Sequence, residues 1–244
     1  MHIKVRLKII LCLLIFIIFI SFNNIKLYAL FIFFIFLHEL SHIITIVCLN
    51  YKIEKIEITP FGLNLNFKIN IDDYNKKIEK GTLITLKKIL IYSAGPLTNL
   101  IIVIILLVIE IIKMKTILPN DLGIFMYKIE TAININTIIF IFNMLPIYPL
   151  DGGRIIKEII HLFYGTYESY KKIQDISLIT LAIVTAITSI IILYYKNITL
   201  LIMLIYLWYI AIYYQKQISL KEKIYENIYK ILNDEEKLKI KNCK

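Results

Sequence analysis

Six long apolar runs divide the chain, and each is long enough to cross a membrane as an α-helix. They cover residues 5–22, 27–49, 89–112, 127–150, 176–195 and 198–214. About 20 apolar residues, at a rise of about 1.5 Å each, span a hydrocarbon core of about 30 Å. The pattern therefore predicts an all-α polytopic membrane protein, with six transmembrane helices in residues 1–214.

A different pattern lies between the second and third apolar runs. Apolar and polar residues alternate strictly from Leu63 to Asp72, and a similar run precedes Pro60 and Gly62. Alternation with a period of two indicates strands, so we expect a small membrane-associated β-hairpin between helices 2 and 3. Two interpretations are open: an ordinary surface hairpin, or an edge strand that pairs with an extended substrate. The candidate substrate-binding positions on the second interpretation are Leu63, Leu65 and Phe67.

Residues 215–244 form a short basic tail after the last apolar run. Ile218, Tyr225, Ile228 and Leu232 are spaced among lysines, which is typical of an amphipathic helix on an anionic leaflet. At this length, the tail is not expected to fold as a domain of its own.

Composition and charge agree with a membrane protein. Hydrophobic residues make up 59% of the chain, against about 45–50% in soluble domains. The net charge of +10 does not require nucleic acid as a partner, because basic residues also set membrane topology. Segments 1–8, 50–88, 151–174 and 215–244 hold 23 of the 28 basic residues. Cytoplasmic segments carry this excess, so both termini are predicted to be cytoplasmic.

The second apolar run contains the residues that point most directly to chemistry. His38 and His42 lie four residues apart, so on a helix both imidazoles project from one face and are able to share a metal. Glu39 lies next to the first histidine and is the candidate catalytic base, able to take a proton from a metal-bound water. Ionisable residues at membrane depth are costly, which favours a functional site.

A hydrolytic zinc site needs a third protein ligand, for which Asp151 is the candidate. Pro146 and Pro149 break the helix before it, and Gly152 and Gly153 let the chain turn after it. The alternative is a simple helix-stopping turn with no metal. Topology favours the ligand, because the second and fourth runs both lead to the cytoplasmic side.

Together, two motifs resemble the site-2 family of intramembrane zinc metalloproteases. They are His38-Glu39-Leu40-Ser41-His42 and Asn143-x-x-Pro146-x-x-Pro149-Leu150-Asp151-Gly152-Gly153. The resemblance covers a catalytic core of about residues 27–154 and is greatest to the branch typified by stage IV sporulation protein FB. It implies one Zn²⁺ per chain on His38, His42 and Asp151, with Glu39 as base and Asn143 near the substrate or oxyanion.

The segment from Ser93 to Asn99 also matches the family. From its residues alone, it is predicted to be a small-residue packing site with a turn broken by Pro96.

The resemblance implies cleavage of a membrane-tethered protein at or near the cytoplasmic side of the bilayer. For the sporulation branch, it implies a sigma-factor precursor, inhibitory membrane partners, and a bacterial cell membrane or the membrane around the forespore. That branch usually carries a nucleotide-sensing CBS domain and other members a PDZ domain. The segment after Tyr214 is too short for either, so neither kind of control is expected from it.

Two other functions fit parts of the pattern. A prenyl-protein-type membrane protease takes its third ligand from a glutamate on a later helix, for which Glu110 and Glu130 are available. A membrane zinc transporter would place polar residues on more of its helices than the two found here.

Overall fold

The computed structural model describes residues 25–59, 62–68, 79–114, 119–195, 201, 204–216, 219–220, 223–224 and 227. The predicted helix at 5–22 and most of the basic tail lie outside these residues. The chain divides into two compact units, Met1–Met144 and Leu145–Lys244, which are described separately below.

The first described helix, α1, covers Ile25–Cys48 and corresponds to the second apolar run. It ends in a turn in which Asn50 takes a φ of 59°, a conformation that asparagine tolerates better than most residues. The N–H groups of Asn50 and Tyr51 donate to the carbonyls of Val47 and Ile46 at 2.9 and 3.0 Å. The turn directs the chain out of the helix and into the first strand.

Strands β1 (Lys52–Thr59) and β2 (Gly62–Lys68) follow and pair antiparallel. Leu63 lies opposite Ile58, and Leu65 lies opposite Ile56. The strands therefore lie where the alternating pattern predicts them, although residues 69–72 of that pattern are outside the described part of the chain. Their association with the membrane stays a prediction.

Helices α2 (Glu79–Met114) and α3 (Pro119–Met144) complete the first unit. The predicted proline-broken turn is wrong, because α2 continues through Pro96. Proline removes one backbone hydrogen bond, and a long helix packed on both neighbours tolerates that loss. The core of this unit joins Phe34 of α1 to one face of α3, with Ile102 and Leu106 of α2 packed against it; the residues of α3 in this core are Ala132, Ile135 and Ile139.

The second unit begins with a non-helical segment, residues 145–150, followed by helix α4 (Asp151–Tyr195). The fourth run was predicted to be helical to residue 150, but α3 ends at Met144, two residues before Pro146. Helix α4 is interrupted at Gly165, whose φ of 81° favours glycine, and residues 204–216 are again helical.

Within the described residues, three helical segments are long and apolar enough to cross a membrane: Ala29–Cys48, Thr82–Ile112 and Glu168–Tyr194. They correspond to the second, third and fifth apolar runs, and they support an integral membrane protein. Apolar side chains remain exposed along them, including Phe36 and Ile190, as expected of surfaces that face lipid. Helix α3 carries Glu130, Asn134 and Asn136 near its middle, which lowers its apolar character. The count of six spans stays a prediction.

Candidate metal centre

His38 and His42 are buried on the same face of α1, one turn apart. Their imidazole Nε2 atoms lie 3.3 Å from each other, and the ring planes are inclined at 79°. The helical spacing predicted from the sequence therefore brings the two nitrogens to one point.

The other ring nitrogen of each histidine is held by α2. His42 Nδ1 lies 2.6 Å from the carbonyl oxygen of Ile91, and His38 Nδ1 lies 3.1 Å from Asn99 Oδ1. A carbonyl oxygen only accepts, so His42 Nδ1 carries the hydrogen and donates it. The same assignment at His38 has Nδ1 donating to the amide oxygen. In each neutral imidazole, Nε2 is then left with a lone pair.

Two lone pairs that face each other at this distance repel unless a cation lies between them. Zinc bonds to imidazole nitrogen are about 2.0–2.1 Å long, and a tetrahedral angle places two such ligands about 3.3–3.4 Å apart. The observed Nε2–Nε2 separation of 3.3 Å matches this value. Both histidines also have the hydrogen bond at Nδ1 that metal-ligating histidines typically make.

Gly95 of α2 packs directly against the two imidazoles. A Cβ atom built on this glycine would overlap Nε2 of both His38 and His42. The absence of a side chain here is therefore what lets the two Nε2 atoms reach one point beside α2.

The sequence interpretation placed Gly95 and Asn99 in a structural packing segment and missed their contact with the histidines. A signal was present, because Asn99 is an amide in an otherwise apolar run and is fully buried. A buried polar side chain in a membrane helix needs a partner, and here the partner is His38.

Glu39 lies beside this pair and is 7% exposed. It follows His38 on α1, so its carboxylate is carried by the same rigid element as both imidazoles. A carboxylate removed from water in this way is costly to retain for packing alone, which favours a chemical role.

Asp151 belongs to the second unit and is the first residue of α4. Its side chain is buried, and a carboxylate in the first turn of a helix is favoured by the helix dipole. The prediction that Asp151-Gly152-Gly153 turns freely, or stops a helix, is wrong because these residues start one. Gly153 instead allows a close approach, since a Cβ there would overlap the backbone of Ile147 and Tyr148.

The segment before Asp151 is held by hydrogen bonds within the second unit. The N–H of Leu150 donates to the carbonyl of Ile147 at 2.8 Å. The N–H of Tyr148 donates to Ser177 Oγ at 2.9 Å, and that hydroxyl donates to the carbonyl of Ile173 at 2.6 Å. Ser177 thereby ties the segment to α4.

The remaining predicted site residues lie on α3 and β2. Asn143 is buried in the last turn of α3, where its Nδ2 donates to the carbonyl of Ile139 at 3.0 Å. Leu63, Leu65 and Phe67 occupy alternate positions of β2. Contact of any of the four with a substrate stays a prediction.

The chain is similar in sequence to a known peptidase family and to a known metalloprotease. A model of peptidase family M50 matches residues 111–188, which include Asn143 and Asp151. A zinc metalloprotease of Methanocaldococcus jannaschii is 32% identical over 136 residues, which are 55% of this chain and 34% of that protein. The chain thus spans about a third of the length of this curated relative.

The fold also has a solved counterpart. The structure of a site-2 protease from Methanocaldococcus jannaschii matches with a TM-score of 0.54 and 27% identity, over 85% of this chain and 87% of the other. The chain is thus similar in sequence to peptidase family M50 and to a zinc metalloprotease, and similar in fold to a site-2 protease. Zinc is the metal that this family implies.

Proposed function

We propose that the chain is an intramembrane zinc metalloprotease in which His38, His42 and Asp151 hold one Zn²⁺ and Glu39 is the catalytic base. The observation that carries the proposal is the pair of Nε2 atoms 3.3 Å apart, with both Nδ1 atoms engaged by α2. All three proposed ligands are buried, and each offers one ligand atom. Two imidazoles and one carboxylate are a ligand set that catalytic zinc uses, with the fourth position left to water.

Bound zinc would polarise the scissile carbonyl and activate the attacking water. Glu39 would accept a proton from that water and deliver it to the amine that leaves. The hydrogen bonds that the two Nδ1 atoms donate to the Ile91 carbonyl and to Asn99 Oδ1 keep both imidazoles oriented, so that the ligand geometry does not have to be formed during the reaction.

The proposed substrate is a membrane-tethered protein, cleaved at or near the cytoplasmic side of the bilayer. A helical peptide has its carbonyls bonded internally, so the substrate must unwind before hydrolysis. In the described residues, β2 pairs with β1 alone, and pairing of an unwound segment with its other edge would hold that segment extended. Leu63, Leu65 and Phe67 would then lie beside the substrate, and Asn143 near the carbonyl.

A narrower hypothesis within this proposal is that the chain belongs to the sporulation branch. Its substrate would then be a sigma-factor precursor, and its partners would be inhibitory membrane proteins. The two relatives described above are a zinc metalloprotease and a site-2 protease of Methanocaldococcus jannaschii. They support the broad family and do not single out its sporulation branch. The orientation with cytoplasmic termini rests on the distribution of basic residues.

A prenyl-protein-type protease has less support than a site-2 protease. Glu130 is exposed, and among the described residues neither Glu110 nor Glu130 belongs to a group able to hold a metal. A zinc transporter would not cleave peptide bonds, so an assay of proteolysis distinguishes it from the proposed protease.

The test is Glu39→Gln, compared with wild type and with Glu130→Gln as a matched change at an exposed glutamate. Each variant is co-expressed with candidate membrane-tethered transcription factors, and zinc is measured in protein purified in detergent. We expect Glu39→Gln to keep about one zinc per chain and to lose cleavage by at least ~10², the usual scale for a general base. Unchanged cleavage in Glu39→Gln would overturn the assignment.

A further inference from the structure

Tyr51, which joins α1 to the first strand, is buried at the base of the hairpin and is 4% exposed. Its N–H donates to the carbonyl of Ile46 at 3.0 Å, which holds it against the last turn of α1. Tyr51, Ile46 and Ile91 of α2 form one core cluster of buried side chains. The tyrosine at the start of the hairpin is thus part of the packing between α1 and α2, the two helices that hold the histidine pair.

A second contact fixes the Tyr51 ring against α2. Lys87 Nζ lies 5.4 Å from the centroid of this ring, which is within the range of a cation–π interaction. Lys87 and Ile91 are four residues apart on α2, so they lie on the same face of that helix. Tyr51 is therefore packed at two successive turns of α2, one of which contains Ile91.

Ile91 connects this packing to the metal site through its backbone. Its carbonyl oxygen lies 2.6 Å from His42 Nδ1 and accepts the hydrogen of that nitrogen, which leaves His42 Nε2 with its lone pair. A carbonyl in a helix points where its own turn directs it. The packing of side chains against the turn of Ile91 therefore determines where the acceptor for His42 lies.

The same core extends into the hairpin. Ile53 of β1 is packed against the cluster. In the register of the two strands, Ile53 lies opposite Phe67 of β2, which is one of the positions proposed to lie beside the substrate. The hairpin and the carbonyl that orients His42 therefore depend on one small core.

We propose that Tyr51 is a positioning residue of the metal site, which couples the base of the hairpin to His42 through Ile91. The inference rests on the proposed function and adds a form of regulation to it. An extended substrate that orders β2 would favour the packing that holds the Ile91 carbonyl, and would thereby strengthen metal binding. Coupling between two sites is reciprocal, so bound zinc must in turn favour the ordered turn at Tyr51.

The test compares Tyr51→Leu with Tyr51→Phe in the full chain, purified in detergent. Leucine removes the ring, whereas phenylalanine keeps the ring and its contact with Lys87. Tyr206→Leu is the matched control, because Tyr206 is a tyrosine of nearly equal burial, 5% exposed, in the second unit. Zinc affinity is measured by competition with a chelator. The state of His42 is measured in zinc-free protein by ¹⁵N NMR with labelled histidine, at a pH where the rings are neutral.

We expect Tyr51→Leu to weaken zinc binding about 10-fold, because it removes a residue that acts on a ligand through the ligand's hydrogen-bond partner. The fraction of His42 with hydrogen on Nδ1 should fall as well; the chain has only 4 histidines, so their signals are assigned by substitution. Tyr51→Phe and Tyr206→Leu should leave both values as in wild type. Wild-type values in folded Tyr51→Leu, or an equal loss in either of the other two variants, would overturn the inference.

Hydrogen exchange in the wild-type chain decides the matter if Tyr51→Leu is poorly folded. The N–H of Tyr51 bonds to Ile46 at the base of the hairpin, whereas the N–H of Leu49 donates to the carbonyl of Thr45 at the end of α1. Coupling predicts that zinc slows exchange more at Tyr51 than at Leu49. Equal slowing would mean that zinc stabilises α1 alone and would refute the coupling.

The state of His42 is measured without metal or substrate, so this result is separate from the proposed function. Failure of wild type to bind zinc would refute the proposed function, whereas the NMR comparison would still decide the role of Tyr51.

Discussion

Replacement of Gly95 by alanine tests whether the two histidines share a metal beside α2. In an ordinary helix, Gly→Ala stabilises the protein by up to about 1 kcal/mol, because alanine loses less backbone entropy on folding. Gly95 lies inside α2, so a purely structural role predicts a more stable variant. The contact with the imidazoles predicts a different outcome for metal binding.

The size of the effect follows from the overlap. A Cβ on Gly95 would lie 2.5 Å from His38 Nε2 and 2.6 Å from His38 Cε1. Non-bonded heavy atoms prefer about 3.5 Å or more, so the ring must move by about 1 Å. That movement strains the hydrogen bond between His38 Nδ1 and Asn99 Oδ1. It also changes the separation between the Nε2 atoms of His38 and His42. Overpacking of this kind costs about 1–3 kcal/mol, and each 1.4 kcal/mol taken from metal binding is a tenfold loss of affinity.

We therefore expect Gly95→Ala to weaken zinc binding roughly 10–100-fold while the protein stays folded. Zinc affinity is measured by competition with a chelator in detergent, and folding by thermal unfolding of the zinc-free protein. Ser93→Ala is the control, because it removes only a hydroxyl that donates to the carbonyl of Leu90 on the same helix. Affinity equal to wild type, together with a raised melting temperature, would refute a metal site at these two nitrogens.

Three further predictions test other parts of the site. Asp151→Ala should lose zinc in purified protein far more than Asp175→Ala, an exposed carboxylate on the same helix, because two histidines and water do not complete a stable tetrahedral site; equal zinc in both would place the third ligand elsewhere. Reporters fused after Lys80 and at Asn120 should read cytoplasmic and external respectively, and the reverse result would contradict the topology. Ser177→Ala should lower the free energy of unfolding by about 1–3 kcal/mol, because it removes the acceptor of a backbone N–H in the segment before the aspartate; an unchanged denaturant midpoint would count against this anchor.

Much of the helical architecture is readable from the chain itself. Apolar runs of membrane length, interrupted by polar segments, correspond to the helical segments Ala29–Cys48 and Thr82–Ile112, because hydrocarbon requires continuous internal hydrogen bonding. The alternation around Leu63 and Leu65 likewise predicts a strand, since side chains of a strand point to opposite faces in turn. The start of α4 at Asp151 was less readable, because two glycines after an aspartate are as typical of a turn as of a helix start.

The pairing of His38 with His42 was determined by the sequence alone, because the pitch of a helix brings residues four apart to one face. Their chemistry depends on groups that the sequence did not connect to them. Asn99 is 61 residues from His38, and only the packing of α2 against α1 brings its amide to the imidazole. Gly95 was readable as a small residue, but the imidazole nitrogens that it accommodates are a property of two packed helices. Local periodicity therefore determined that the two imidazoles lie on one helix face, while tertiary packing decided which of their nitrogens are hydrogen-bonded to α2 and which face each other.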